Sequence, residues 1–191
     1  MDKDELKSYL GKVYKLRGID NSPLLFVVEV SGQEIDRNIC NETTGFLKFD
    51  KDYPVIKFKM LWFHTSNKST GFQEAVFFED ELEEFEGEIP YLFSDFDSYE
   101  EEFGMTVSFP FVLQKPSKLE MKSLKMVLVD VLKNKELSKF GNPNIIRPEY
   151  LLKCKWYNEL SGKFEETILP RELFIKPLEE EEEEEHRRRY K

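Results

Sequence analysis

Two cysteines and two histidines in 191 residues leave little room for several kinds of chemistry. Cys40 and Cys154 do not form a metal-ligand spacing, and one pair cannot make the disulfide framework of a small secreted domain. Each reads as a small buried residue or a free thiol. His64 and His186 leave no third imidazole for a zinc site. The chain has no glycine-rich phosphate loop and no nucleophile elbow. No apolar run is long enough to span a bilayer. The opening MDKDELKSYL is charged and lacks the apolar run of a signal peptide, so a cytoplasmic protein is expected.

Basic residues are missing from one long stretch. From Ser69 to Gln114 there are 13 acidic residues and no Lys or Arg. The net charge of -10 is therefore segregated as well as high. It argues against nucleic acid and anionic membrane as partners, since both require a basic footprint. The composition is 40% hydrophobic and 14% aromatic, which supplies a real core.

An internal repeat fills much of this length. IKFKMLWFHTSNKSTGFQEAVFFEDEL at 56–82 resembles LLKCKWYNELSGKFEETILPREL at 151–173. Trp62-Phe63 answers Trp156-Tyr157, Gly71 answers Gly162, and Phe72 answers Phe164. Val76-Phe77 answers Ile168-Leu169, and Glu81-Leu82 answers Glu172-Leu173. Upstream, SPLLFVVEV at 22–30 answers SLKMVLVDV at 123–131. A repeat fixes the domain count before any other reading. The β-branched and aromatic runs, separated by STG and LSG turn signals, predict short antiparallel strands.

GKVYKLRGIDNSPLLFVVEV, IKFKMLWFHT and the second Trp-aromatic hairpin resemble the small bacterial YodC-like domains. That resemblance covers about half of the chain and implies SH3-like units. It implies no enzyme mechanism and no catalytic residue. The expected fold is mainly β: two tandem SH3-like β-barrel units with inserts and a few short helices. Residues 1–9 read as an N-terminal arm or short helix, 10–86 as the first barrel and 87–104 as an acidic aromatic connector. Residues 105–178 read as the second barrel and 179–191 as a charged tail, helical or disordered. SGQEIDRNICNETTGFLKFDKDYP and NKELSKFGNPNIIRPEY are the inserts, and NKELSKF is a candidate helical turn.

His64 answers Asn158 in the repeat, which reads as polar edge decoration. Asp95 and Asp97 stand at calcium-loop spacing, but Tyr99 and Glu100 break the EF-hand pattern. No catalytic residue, metal site or cofactor is expected. The candidate surface is acidic and aromatic: Glu83, Glu84, Glu86, Glu88, Tyr91, Phe93, Asp95, Asp97, Tyr99, Glu100, Glu101 and Glu102. Carboxylates spaced along a surface suit a basic protein partner, and aromatics supply anchoring area. The reading is a non-enzymatic protein-interaction protein. One alternative is a nucleic-acid-mimicking inhibitor of a nucleic-acid-handling enzyme, such as a nuclease. The other is direct nucleic-acid binding by a basic face built from Lys12, Lys15, Arg17, Lys57 and Lys59, or from Lys153 and Lys155.

Overall fold

The computed structural model describes residues 3–34, 37–40, 47–50, 54–66, 68–89, 104–115, 118–135 and 145–174. A short helix α1 (Lys3–Lys7) precedes β1 (Val13–Leu16), β2 (Leu25–Glu34), β3 (Arg37–Cys40), β4 (Leu47–Asp50), β5 (Pro54–Thr65) and β6 (Thr70–Phe78). A 3-10 turn at Glu79–Glu81 leads into β7 (Leu82–Glu84). The second half holds β8 (Thr106–Lys115), β9 (Lys118–Lys133), β10 (Ile145–Ile146), β11 (Tyr150–Asn158) and β12 (Lys163–Pro170), closed by a 3-10 turn at Arg171–Phe174. The chain is mainly β, as expected. The connector residues 90–103, residues 136–140 of the candidate turn NKELSKF (134–140) and the tail lie outside the described residues.

The first sheet runs β6-β5-β2-β1-β7, with β10 also paired to β2. The second runs β12-β11-β9-β8, and β3 and β4 form a separate two-stranded ribbon inside the first insert. All described pairings are antiparallel. Pro110 lies within β8, the outer strand of the second sheet, where a missing N–H is tolerated.

The repeat is visible in the register. Phe63 pairs with Phe72, as Tyr157 pairs with Phe164. Trp62 pairs with Gln73, as Trp156 pairs with Glu165. A β-bulge recurs at matching places. In β2 it falls between Val27 and Glu29, opposite Met60 and Lys59. In β9 it falls between Leu128 and Asp130, opposite Cys154 and Lys153. A bulge adds one residue and sharpens the local twist, so the two sheets bend at the same point.

Neither sheet closes into a barrel among the described residues; each ends in open edges. Instead of two separately filled barrels, the sheets share a core. Phe26, Val28, Leu61 and Phe63 of the first sheet pack with Val107, Phe109, Met126, Leu128, Leu152, Cys154 and Trp156 of the second. Phe26 meets Phe109 at 4.7 Å between ring centroids, and Phe63 meets Trp156 edge-on at 5.3 Å. The opposite face of the first sheet has its own core of Leu25, Val27, Val30, Phe58, Met60 and Leu82, covered by Leu6 and Leu10 from α1 and the turn after it. Repeat partners therefore occupy corresponding places. Leu25, Val27, Phe58, Met60 and Leu82 line one core; Met126, Leu128, Leu152, Cys154 and Leu173 line the other. The cover differs: a helix over the first, an entire sheet over the second.

Three contacts tie the halves further. Ile145 and Ile146 come from the second half but pair with Ser31 and Val30 of β2. Arg147 then donates from Nε to Glu29 Oε2 at 2.6 Å. Gly11 sits at φ +80°, where glycine is favoured, and a Cβ there would lie 2.5 Å from the Glu172 carbonyl oxygen. The first loop thus lies directly against the last 3-10 turn.

Candidate interaction surfaces

The acidic strip is held by three apolar side chains among its carboxylates. Leu82 is buried and Phe85 and Ile89 are half-buried, so these three anchor the segment. Glu83, Glu84, Glu86 and Glu88 are exposed. Glu79, Asp80 and Glu81 of the preceding turn are exposed as well, giving seven outward carboxylates in ten residues. The backbone holds them in place. Phe85 N donates to Val13 O at 2.9 Å, and Phe78 N donates to Glu81 Oε2 at 2.8 Å. Arg17 donates twice to Leu82 O, at 3.2 and 3.0 Å. Lys15 Nζ lies 4.0 Å from Glu83 Oε1 and also over the Phe85 ring. Burial and then the Glu84 charge push the Tyr14 hydroxyl above its ordinary range. Burial and the charge of Glu79 do the same to Tyr9.

Glu83, Glu84, Glu86 and Glu88 are thus brought together on one edge of the first sheet. Tyr91, Phe93, Asp95, Asp97, Tyr99, Glu100, Glu101 and Glu102 lie outside the described residues. A short, charged edge strand discourages strand addition, so this edge suits side-chain recognition.

The basic residues of the nucleic-acid reading all have partners within the chain. Lys12 lies over Tyr9 and Lys57 over Phe78. Lys59 pairs with Glu74 at 2.6 Å. Lys153 and Lys155 share Glu166, at 2.8 and 3.4 Å. The two lysines hold the Glu166 carboxyl below its ordinary range.

Cys154 is fully buried, and burial pushes its thiol up to about 12, opposite to the activation a nucleophile needs. His64 is exposed on β5. Its repeat counterpart Asn158 differs in being buried. It is 4% exposed; its Nδ2 donates to Glu165 Oε1 at 2.7 Å, and its Oδ1 accepts from Leu160 N and Ser161 N. It organises the hairpin turn, because an Asn side chain can replace a backbone partner there.

Two surfaces were not legible as sites. One is a cleft of about 680 Å³ at one end of the sheets, with buried Phe63 and Trp156 at its floor and Thr65, Ser123, Lys125 and Glu159 among its walls. The other is the outer face of the second sheet, where Val127, Val129, Tyr157, Phe164 and Ile168 are exposed. The continuous apolar run from Met126 to Val129 makes both faces of β9 apolar, and sequence alone cannot tell which is covered. Among the described residues, no helix is long and apolar enough to cross a membrane. No family model, curated protein or solved structure matches the chain.

Proposed function

We propose that this is a non-enzymatic protein-interaction protein of two SH3-like units, docking a basic partner through the acidic strip. The strand order β6-β5-β2-β1-β7, with a 3-10 turn before the last strand, supports an SH3-like first unit. The second sheet repeats β12-β11-β9-β8 and its closing 3-10 turn. The resemblance to YodC-like domains belongs to the same proposal.

The observation that carries the docking reading is the run of seven exposed carboxylates from Glu79 to Glu88, on and around β7, in a segment held by buried Leu82 and half-buried Phe85 and Ile89. Clustered like charge raises the encounter rate with an oppositely charged partner and excludes like-charged ones. The internal partners of Lys12, Lys57, Lys59, Lys153 and Lys155 favour this reading over direct nucleic-acid binding.

The test is capture of partners from the native host by the full chain and by a quadruple variant, Glu83→Lys, Glu84→Lys, Glu86→Lys and Glu88→Lys. The fold is checked by circular dichroism. The expected result is a salt-sensitive partner lost from the folded variant. Recovery of the same partner by the variant refutes the acidic strip. A captured nucleic-acid enzyme that DNA competes away would assign the mimic reading.

A further inference from the structure

The two repeats treat their outer faces differently. In the first, Phe26, Val28, Phe63 and Phe72 face the second sheet and pack into the shared core. Their repeat counterparts are Val127, Val129, Tyr157 and Phe164, which are 44%, 40%, 50% and 72% exposed. Ile168 continues the patch at 52%. Tyr157 and Phe164 already stack edge-on at 5.2 Å, so the patch presents a formed aromatic pair. Apolar area gathered on one sheet face marks an interaction surface.

We propose that this face is where a second copy of the chain docks, outer face to outer face. Charge on the face selects the occupant. Lys153 and Lys155 both reach Glu166, and Asp130 is paired in register with Lys153. With Lys125, the face carries three cations and two anions, so it is almost neutral. A strongly acidic or basic partner finds little to pair with there, whereas an identical face meets it without a large like-charge penalty. Size agrees. Four strands about 4.8 Å apart and about nine residues long cover roughly 600 Å² per copy. Two such faces bury roughly 1,200 Å², at the lower end for specific association. Sheet-on-sheet packing is already how the chain buries the corresponding positions of its first repeat. A twofold pair is also the commonest closed assembly.

This association has the opposite salt response to the acidic strip. Two copies of a chain at net charge -10 repel at long range, and salt screens that repulsion. The dimer should strengthen with added salt, while capture of a basic partner weakens.

Sedimentation of the full chain from micromolar to millimolar concentration tests the proposal. The expected result is a monomer–dimer equilibrium. In Phe164→Glu and in Ile168→Lys, each of which puts a charge on the apolar patch, the dimer Kd should rise about thirtyfold or more. Val76→Glu, at the exposed counterpart of Ile168 on the first sheet, should leave it unchanged. A monomer throughout the range, or a dimer indifferent to both second-sheet variants, overturns the proposal. The quadruple strip variant should still dimerise, so the two readings fail separately.

Discussion

Replacing Phe26 by alanine should weaken both sheets together. Phe26 is in β2, yet its ring is 0% exposed because Phe109 of β8 lies against it at 4.7 Å. Truncating a buried Phe costs about 3–5 kcal/mol in lost transfer energy and residual cavity. The tilted contact with Phe109 contributes about 0.5–1.5 kcal/mol of specific ring interaction. A domain of ordinary stability has about 5–15 kcal/mol in total, so the loss is large. With a urea m-value of about 1–3 kcal/mol/M, the midpoint should fall by about 1 M or more. The two tryptophans provide separate reporters. Trp62 packs against the first-sheet core and Trp156 is buried in the shared one. Single-tryptophan backgrounds, Trp62→Phe and Trp156→Phe, report each in turn. If the shared core makes one cooperative unit, Phe26→Ala lowers both midpoints equally. A Trp62 transition that stays in place while Trp156 moves would show that the sheets unfold independently, and would refute the argument.

Gly11→Ala should destabilise strongly, because it adds left-handed strain of about 1–2 kcal/mol to a Cβ placed against the Glu172 backbone; thermal denaturation reads the loss, and unchanged stability would remove Gly11 from the contact. Glu172 is buried, and burial pushes its carboxyl above the ordinary range. Its raised folded pKa means the contribution is fully present below the unfolded value and is lost as pH rises through the folded one. Glu172→Gln should therefore be relatively more stable at neutral pH than in acid, compared with the parent; identical pH profiles in urea melts would contradict this. Cys154 should react with a disulfide reagent only on unfolding in a Cys40→Ser background, and rapid native labelling would contradict its burial.

The hairpins were legible because their cross-strand partners are encoded locally. Trp62 with Gln73 and Trp156 with Glu165 sit a few residues either side of a turn, and the repeat alignment gives their register directly. The cover over each face was not. Phe26 and Val127 occupy matching positions with similar side chains; one is buried and the other 44% exposed. The difference depends on what lies beyond the sheet, which is a long-range property. Ile145 and Ile146 were illegible as a crossing strand because two residues carry no period.

The repeat also shows that the acidic strip is an addition to the fold. Continuing the match of Leu82 with Leu173 sets Glu83 opposite Phe174. Phe174 is 1% exposed and packs into the shared core, whereas Glu83 faces solvent. The same place after the 3-10 turn can therefore be apolar and buried. Neither the turn nor the β bend demands a carboxylate there. Exposed like charges within one strand repel one another and contribute nothing to sheet packing, so they stabilise the strand only against wrong pairing or in the presence of a cationic partner. Edge protection alone would be served by one or two charges on a three-residue strand. Glu81 caps its own 3-10 turn by accepting from Phe78 N and Glu83 approaches Lys15, but Glu79, Asp80, Glu86 and Glu88 lie beyond β7 at its two ends, where there is no ladder to protect. If the proposed docking function holds, high salt should release the basic partner while leaving the melting midpoint of the free protein unchanged or raised.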